Sequence, residues 1–530
     1  MIILLSNYQH AAEGEKVIDL TSTYDLYIAA GQATPAYRSQ TVGGRYLGLD
    51  RSSAEYVAAI KKWVEDCANN HGPKCCMTVS KAERVDPYDV PLPSRCIDVG
   101  GSGDIVLRDC AGVRGSYITL SHRWTDETQQ SKTTKNNWGL RLHGLEFDNL
   151  SKSLNEVISF TRQLGVRYIW IDSICIIQDD PADLHKELLN MAQYYQNSLF
   201  TLASEIGTKH TNGLLRLPNQ IDKLIQLPYM DSGKQRGNLY VYKQKWKTND
   251  RYLSEVGRSE LLSRGWVFQE WFLSGRIVHF APSDTYLECR SQRPLSVRNQ
   301  KIEVFSIESK SAARKSDLDS TKYSTLRLGF KSEFHIDAEL SFDMWYGLAQ
   351  SYAQLHLTKA SDHLNAIAGI ASEFTQAVAN LYSTRDELIS ASSPSRSDSD
   401  PHMAYISGLW LPDINHGLLW RAMHEDSGQC GCGSPSWSWL SLAGPVTWPE
   451  RHDLVVDECE VISVDREQVS NSASYLITMT TTLKVLGKVQ PVLVRGQMGL
   501  ALDRDLAILT GTKYTHGKSV HLRRFEIIQI

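Results

Sequence analysis

Apolar residues run almost unbroken from Tyr168 to Ile171 before the chain meets Asp172. A short continuous apolar run suits a strand buried on both faces, as in a parallel sheet. Tyr117 to Leu120 and Leu199 to Ala203 have the same character and predict two further strands. Between them, Leu154, Val157, Ile158, Thr161 and Leu164 recur at helical spacing and mark one buried face. Ser153-Leu154-Asn155-Glu156 fits a capping box with Ser153 at the N-cap, and Gly165 is a suitable stop. Pro181 opens another helix, with Leu184, Leu188, Met191 and Tyr195 on one side. Strand, helix, strand, helix, strand at this spacing predicts a parallel sheet with crossover helices. The expectation is four or five parallel strands within residues 110–290, with the Tyr168 strand central.

The flanking pattern is less regular. Residues 1–50 are rich in turn formers and predict only an extended lead-in. Tyr56, Ile60, Trp63 and Cys67 share one face and predict a helix over 53–68. Thr125 to Asp148 read as a long polar loop, and residues 205–257 as a polar insertion with short strands near Leu239 to Tyr242. A helix resumes from Ser259 through Leu261, Leu262, Trp266, Gln269 and Glu270. Gly275 ends it, and Arg276 to Phe280 and Thr285 to Cys289 are strand-like. Further on, Trp345, Leu348, Tyr352 and Leu355 predict a long amphipathic helix, and Leu364 to Phe374 another. Ser390 to Asp400 is a low-complexity loop. After Trp439 the pattern turns to β, with strands expected at Tyr475 to Val485, Pro491 to Val494 and Leu506 to Thr510. The organisation expected is a lead-in over 1–110, an α/β domain over 111–295 and a C-terminal α+β region over 296–530.

Composition narrows the function classes. A chain of 530 residues, 42% hydrophobic and 22% charged, has ample material for two or three cores. The net charge of -4 argues against a nucleic-acid partner, which would need a basic excess. The N-terminus has only a very short apolar patch, no basic region and no cleavage pattern, so no signal peptide is expected, and no apolar stretch is long enough to span a membrane. With 10 unevenly spaced cysteines, these features suggest a reducing, cytoplasmic setting with free thiols. Cys67-x3-His71-x3-Cys75-Cys76 fits no common zinc spacing well, so it is read as a loop of reduced thiols with no metal expected.

The chemistry-bearing residues gather where predicted strands end, and in open α/β sheets ligands bind at the carboxyl ends of strands. Ser121, His122, Arg123 and Trp124 follow the first strand. Asp172, Ser173, Cys175, Gln178, Asp179 and Asp180 follow the Tyr168 strand. Asp172 also suits a plain turn cap, and Cys175 between two isoleucines also suits plain core. Cys175, His122 and Asp172 together offer a thiol, an imidazole and a carboxylate, a set able to perform covalent chemistry. Gly100-Gly101-Ser102-Gly103 lacks the strand-to-helix context of a phosphate loop.

Three blocks carry a resemblance. WIDSICIIQDD (Trp170 to Asp180), YITLSHRW (Tyr117 to Trp124) and SRGWVFQEWFLSGRIVHFA (Ser263 to Ala281) resemble, in order, the motifs of the fungal heterokaryon-incompatibility (HET) domain. GLLW (Gly417 to Trp420) and SPSWSWLSLAGPV (Ser434 to Val446) resemble the tail of full-length members. Thr125 departs from the pattern, in which Gly usually follows the Trp. The resemblance implies a TIR-like, flavodoxin-like parallel sheet with flanking helices and a cell-death role in incompatibility. In TIR enzymes that cleave NAD, an essential Glu sits on a helix after the third strand near a Trp, and by order Glu270 matches it. The implied catalytic set is then Glu270, with Asp172 in support. Arg123 and Arg264 would hold a diphosphate, and Trp124 or Trp266 would stack on a base. Ser121, Gln178, Asp179 and Gln269 complete the implied binding rim. NAD enters as a substrate and no cofactor is expected. Partners implied are a nucleotide or other small molecule, a homo-oligomer or an incompatibility protein. Two alternatives stay open: a specialised-metabolism enzyme using the same cleft, and a non-enzymatic signalling module.

Overall fold

In the computed structural model the chain is described over most of residues 25–298 and 342–449, and over strands at 459–466, 481–487 and 525–526. The calls over Ser390 to Asp400, Pro491 to Val494 and Leu506 to Thr510 lie outside the described residues, as does much of Tyr475 to Val485. No helix among the described residues is long and apolar enough to cross a membrane.

An eight-stranded mixed sheet forms the frame. Its strands are β1 (Arg95–Asp98), β2 (Val106–Asp109), β3 (Tyr117–Ser121), β4 (Tyr168–Trp170), β5 (Thr201–Ser204), β6 (Arg276–Phe280), β7 (Thr285–Cys289) and β8 (Leu295–Ser296). They lie in the order β8-β7-β6-β5-β3-β4-β1-β2. The four inner strands, β4-β3-β5-β6, are mutually parallel, and the flanking strands are antiparallel. The Tyr168 strand is therefore interior but not central; β3 and β5 hold the middle. The reason is the connection: β4 folds to one side of β3, and the chain then crosses back to lay β5 on the other. That reversal between β3 and β5 is where an open α/β sheet leaves a crevice.

The helices follow the apolar spacing. Helix α1 (Ala54–Asn70) buries Tyr56, Ile60, Val64 and Cys67. Helix α2 (Lys152–Gln163) buries Leu154, Val157, Ile158 and Thr161, and Gly165 leaves it at φ +72. Its N-cap is Ser151 rather than Ser153. Ser151 receives the Leu154 N–H at 3.4 Å and is fixed by Ser131, whose hydroxyl accepts the Ser151 N–H at 2.8 Å. Glu156 is drawn off by the Leu215 N–H at 3.1 Å, a tertiary bond that local spacing does not reveal. Helix α3 (Asp172–Cys175) is a single turn, and α4 (Pro181–Asn197) is capped by Asp180. Helix α5 (Gly265–Leu273) packs against β3 and α4. Thr125 to Asp148, read as a loop, contains helices at Asp126–Gln130 and Lys135–Arg141, because Thr125 and Thr134 cap them. The insertion holds a full hairpin, Ile225–Asp231 with Lys234–Gln244, which pairs with Asp25–Gly31 from the lead-in.

Alternation along the inner strands feeds two hydrophobic clusters. Leu202, Val278 and Phe280 join α1, α2 and α4 in one. Ala203 and Ile277 join α5 and α6 (Phe342–Tyr352) in the other, with Ile367, Trp410 and Trp439. The C-terminal region thus completes a core that begins in the sheet.

Buried charges tie the β6–β7 hairpin to the rest. Arg51 donates to Thr285 Oγ1 at 2.9 Å, to the Leu214 carbonyl at 2.7 Å and to the carbonyls of Asp284 and Ala281. Arg51→Ala leaves these acceptors without their donor and should cost on the order of 3 kcal/mol or more, read by urea denaturation. A loss below about 1 kcal/mol would remove this role. His279 sits between Glu205 at 2.8 Å and Glu288 at 3.0 Å. Although burial acts to lower it, the two carboxylates raise its pKa to about 8. A raised histidine stabilises fully below its unfolded value and loses that stability as pH rises through the folded one. The protein should therefore lose on the order of 2 kcal/mol between about pH 6.5 and 8.5. His279→Gln should lower stability throughout and flatten that descent in melting curves; an unchanged slope would contradict the assignment.

Candidate functional site

Four segments converge at the carboxyl end of the parallel strands. Ser121 ends β3, and His122 and Trp124 follow it. Asp172 starts α3 directly after β4. Glu270 comes from α5, and Tyr195 from the last turn of α4. The apolar strand cores leave the strand ends as the place where polar groups can emerge.

Asp172 is the hub. Its Oδ2 accepts the Trp124 indole N–H at 2.8 Å, and its Oδ1 accepts the Ser173 N–H at 2.7 Å. His122 Nδ1 lies 3.7 Å from Oδ1. The Gln178 side chain donates to the Asp172 carbonyl at 2.9 Å. Arg264 donates to the His122 carbonyl at 3.0 Å and so joins the β3 end to the start of α5.

Glu270 lies deeper and is only 6% exposed. Burial, then the like charge of Asp172, raise its pKa to about 7, while the Ser121 and Tyr195 hydroxyls and Arg264 pull it back. Burial also lowers the pKa of His122 and raises that of Tyr195. Glu270 Oε2, Ser121 Oγ and His122 Nε2 are buried and make no hydrogen bond of good geometry, although the Ser121 hydroxyl lies close enough to Glu270 to favour its ionised form. Buried polar atoms are nearly always paired, so three without a well-formed bond on neighbouring segments make this the candidate site. A void of about 10 Å³, room for one water, lies beside Ser121 towards Thr201 and His279 and is not lined by Glu270, His122 or Asp172. A depression of about 340 Å³ lies elsewhere, along Gln130, Asn137, Arg141 and Asn149.

Among the residues singled out from sequence, Ser121, His122, Trp124, Asp172, Gln178, Arg264 and Glu270 come together. The others do not. Cys175 points into the core, where its Sγ accepts the Ile171 N–H at 3.4 Å and burial pushes the thiol up to about 12. A thiol so placed is not a ready nucleophile. Arg123 pairs outward with Glu260. Asp179 is exposed and accepts the Lys135 N–H at 2.8 Å. Trp266 donates to Asp362 at 3.0 Å, and Gln269 accepts the Gly369 N–H at 2.8 Å, so both face the C-terminal region. Helical spacing places Tyr195 only on an apolar helix face. Its hydroxyl gave a signal, since a buried tyrosine needs a partner, and here it donates to the Leu120 carbonyl at 3.0 Å.

No curated protein and no solved structure matches the chain. Residues 117–270 match the family model described as heterokaryon incompatibility protein (HET). That interval begins at the first residue of β3, ends at Glu270 and encloses all seven converging residues. The chain thus carries a heterokaryon-incompatibility (HET) domain over residues 117–270.

Proposed function

We propose that this centre is a latent N-glycosidic hydrolase site, acting on NAD or a related nucleotide in an incompatibility or cell-death response. The observation that carries the reading is Glu270, a buried carboxyl with a pKa near neutrality and an unpaired oxygen beside a second carboxylate. The inner strand order, with the second strand before the first and then the third and fourth, is that of flavodoxin-like sheets and favours a TIR-like reading.

The chemistry suits one ionised carboxylate. Nicotinamide in NAD is already cationic, so it leaves with the bonding electrons as a neutral molecule and needs no acid. Positive charge then builds on the ribose, where Glu270 would stabilise it. Water adds to the ribose carbon, and its proton passes to the carboxylate or to solvent. Asp172, held by Trp124 and Ser173, would add to the negative field, and Arg264 would face the diphosphate. The burial of Glu270 means that a nucleotide requires the cover to move, which fits an activity awaiting a partner or self-assembly. The same closure favours a second reading, a non-enzymatic module whose buried carboxylate governs a conformational change.

Incubation of the protein with NAD, free and tethered into oligomers, followed by chromatography of products, tests the first reading. Glu270→Gln should lower kcat by about a hundredfold or more. Asp172→Asn should fall less cleanly because it also loosens the turn, and Cys175→Ser should keep activity. Since the carboxylate acts ionised, kcat should rise with pH through about 7. A raised carboxyl pKa destabilises the fold as pH climbs from about 4.5 to 7, by on the order of 3 kcal/mol once fully ionised. Glu270→Gln should therefore melt no lower than wild type at pH 8. Full turnover in that variant would sink the assignment, and wild type inert in both states would favour the second reading.

A further inference from the structure

At the other end of the sheet, four metal-ligating side chains meet. Cys67 and His71 stand one turn apart at the carboxyl end of α1, on one face. Cys75 lies four residues beyond His71, and Cys289 is the last residue of β7, paired with Arg276. Cys67, Cys75 and Cys289 are buried, and His71 is half-buried. Their ligand atoms all lie within 4.8 Å of one another. His71 Nδ1 is 3.4 Å from Cys289 Sγ and 3.9 Å from Cys75 Sγ. A tetrahedral zinc ion bound by sulfur and imidazole nitrogen sets such edges at about 3.5–3.8 Å. Little movement is needed to close four ligands on one ion.

We propose that Cys67, His71, Cys75 and Cys289 bind a structural zinc ion. Three thiolates and an imidazole are soft and borderline donors that suit zinc over magnesium or calcium. All four positions are filled by protein, so the site is closed, as structural zinc sites are, and leaves no position for substrate. Binding three thiolates to a divalent cation leaves one net negative charge. The buried Arg276 guanidinium lies beside it, donating to the Cys75 carbonyl at 3.2 Å and to Cys76 Sγ at 3.4 Å. Cys76 is thereby occupied outside the ligand set.

The placement gives the ion a task. The start of α1 is already fastened to β7, with Tyr56 donating to Thr285 Oγ1 at 2.8 Å beside Arg51. From Tyr56 to Cys67 the helix rises about 16 Å, and from Thr285 to Cys289 the strand spans about 14 Å. Helix and strand therefore run side by side in one direction, and the zinc fastens the far end. His71 and Cys289 are 218 residues apart, so the ion closes a very long loop. Such closure raises stability largely by restricting the unfolded chain.

His363, Cys430 and Cys432 form a second group, of three ligands among the described residues, and the test must be blind to it. Full-length protein carrying Cys430→Ser and Cys432→Ser, purified under reducing conditions without added chelator, should retain about one equivalent of zinc by elemental analysis. Cys289→Ser in that background should lose it. If Cys289→Ser does not fold, His71→Cys decides. It keeps four ligands, so it should retain the metal, and after cobalt substitution both it and its parent should show tetrahedral bands, shifted by the fourth thiolate. Chelation should lower the melting temperature by at least about 5 °C, reversed by zinc alone. Folded, reduced protein with under about 0.2 equivalents of zinc and no tetrahedral cobalt bands would overturn the proposal. A disulfide between any two of Cys67, Cys75 and Cys289 in freshly purified protein would also overturn it.

Discussion

Both faces of the four parallel strands are buried, and most of the structure follows from that constraint. A strand buried on both faces carries apolar side chains in both directions, so each face must be covered. Helices α1 and α2 supply one cover. Helix α5 and the aromatic-rich C-terminal region supply the other, through Trp345, Trp410 and Trp439. Polar groups are thereby pushed to the strand ends. At the carboxyl end they form the carboxylate centre, and at the amino end the cysteine cluster.

The same burial sets the electrostatics of the centre. Asp172 is partly exposed and is satisfied by Trp124 and Ser173. Glu270 is desolvated and faces the charge of Asp172, so its proton is held to about pH 7. Burial beside a second carboxylate thus brings the pKa of the Glu270 carboxyl near neutrality, the range in which acid–base groups work. The cost falls on stability, since a buried carboxylate with an unpaired oxygen opposes folding once ionised. His279 offsets part of such charge nearby by holding Glu205 and Glu288.

Attachment of the N-terminal segment rests on polar bonds rather than on apolar area alone. Arg51 and Tyr56 fasten one end of α1 to Thr285, and the cysteine cluster stands at the other. These clamps hold β6 and β7 in place, and α5, which carries Glu270, leads directly into β6. Positioning of the site is thus tied to groups at the far end of the sheet.

Local pattern alone determined the inner strands, helices α1, α2 and α4 and the strand-end position of Ser121, His122 and Asp172. Spacing of apolar residues and Gly or Pro stops act within a few residues, and a local reading captures them. Motif order extended this to Glu270. Tertiary structure decided the rest, because those choices depend on partners far along the chain. Ser151 displaced Ser153 as a cap once Ser131 fixed it, and Gln269 and Trp266 turned from the site to meet residues beyond 360. Cys175 was committed to the core by the sheet beneath it. The run Cys67, His71, Cys75 lacked a fourth ligand until the β6–β7 hairpin brought Cys289 beside it, since sequence spacing records nothing about contacts across so long a loop.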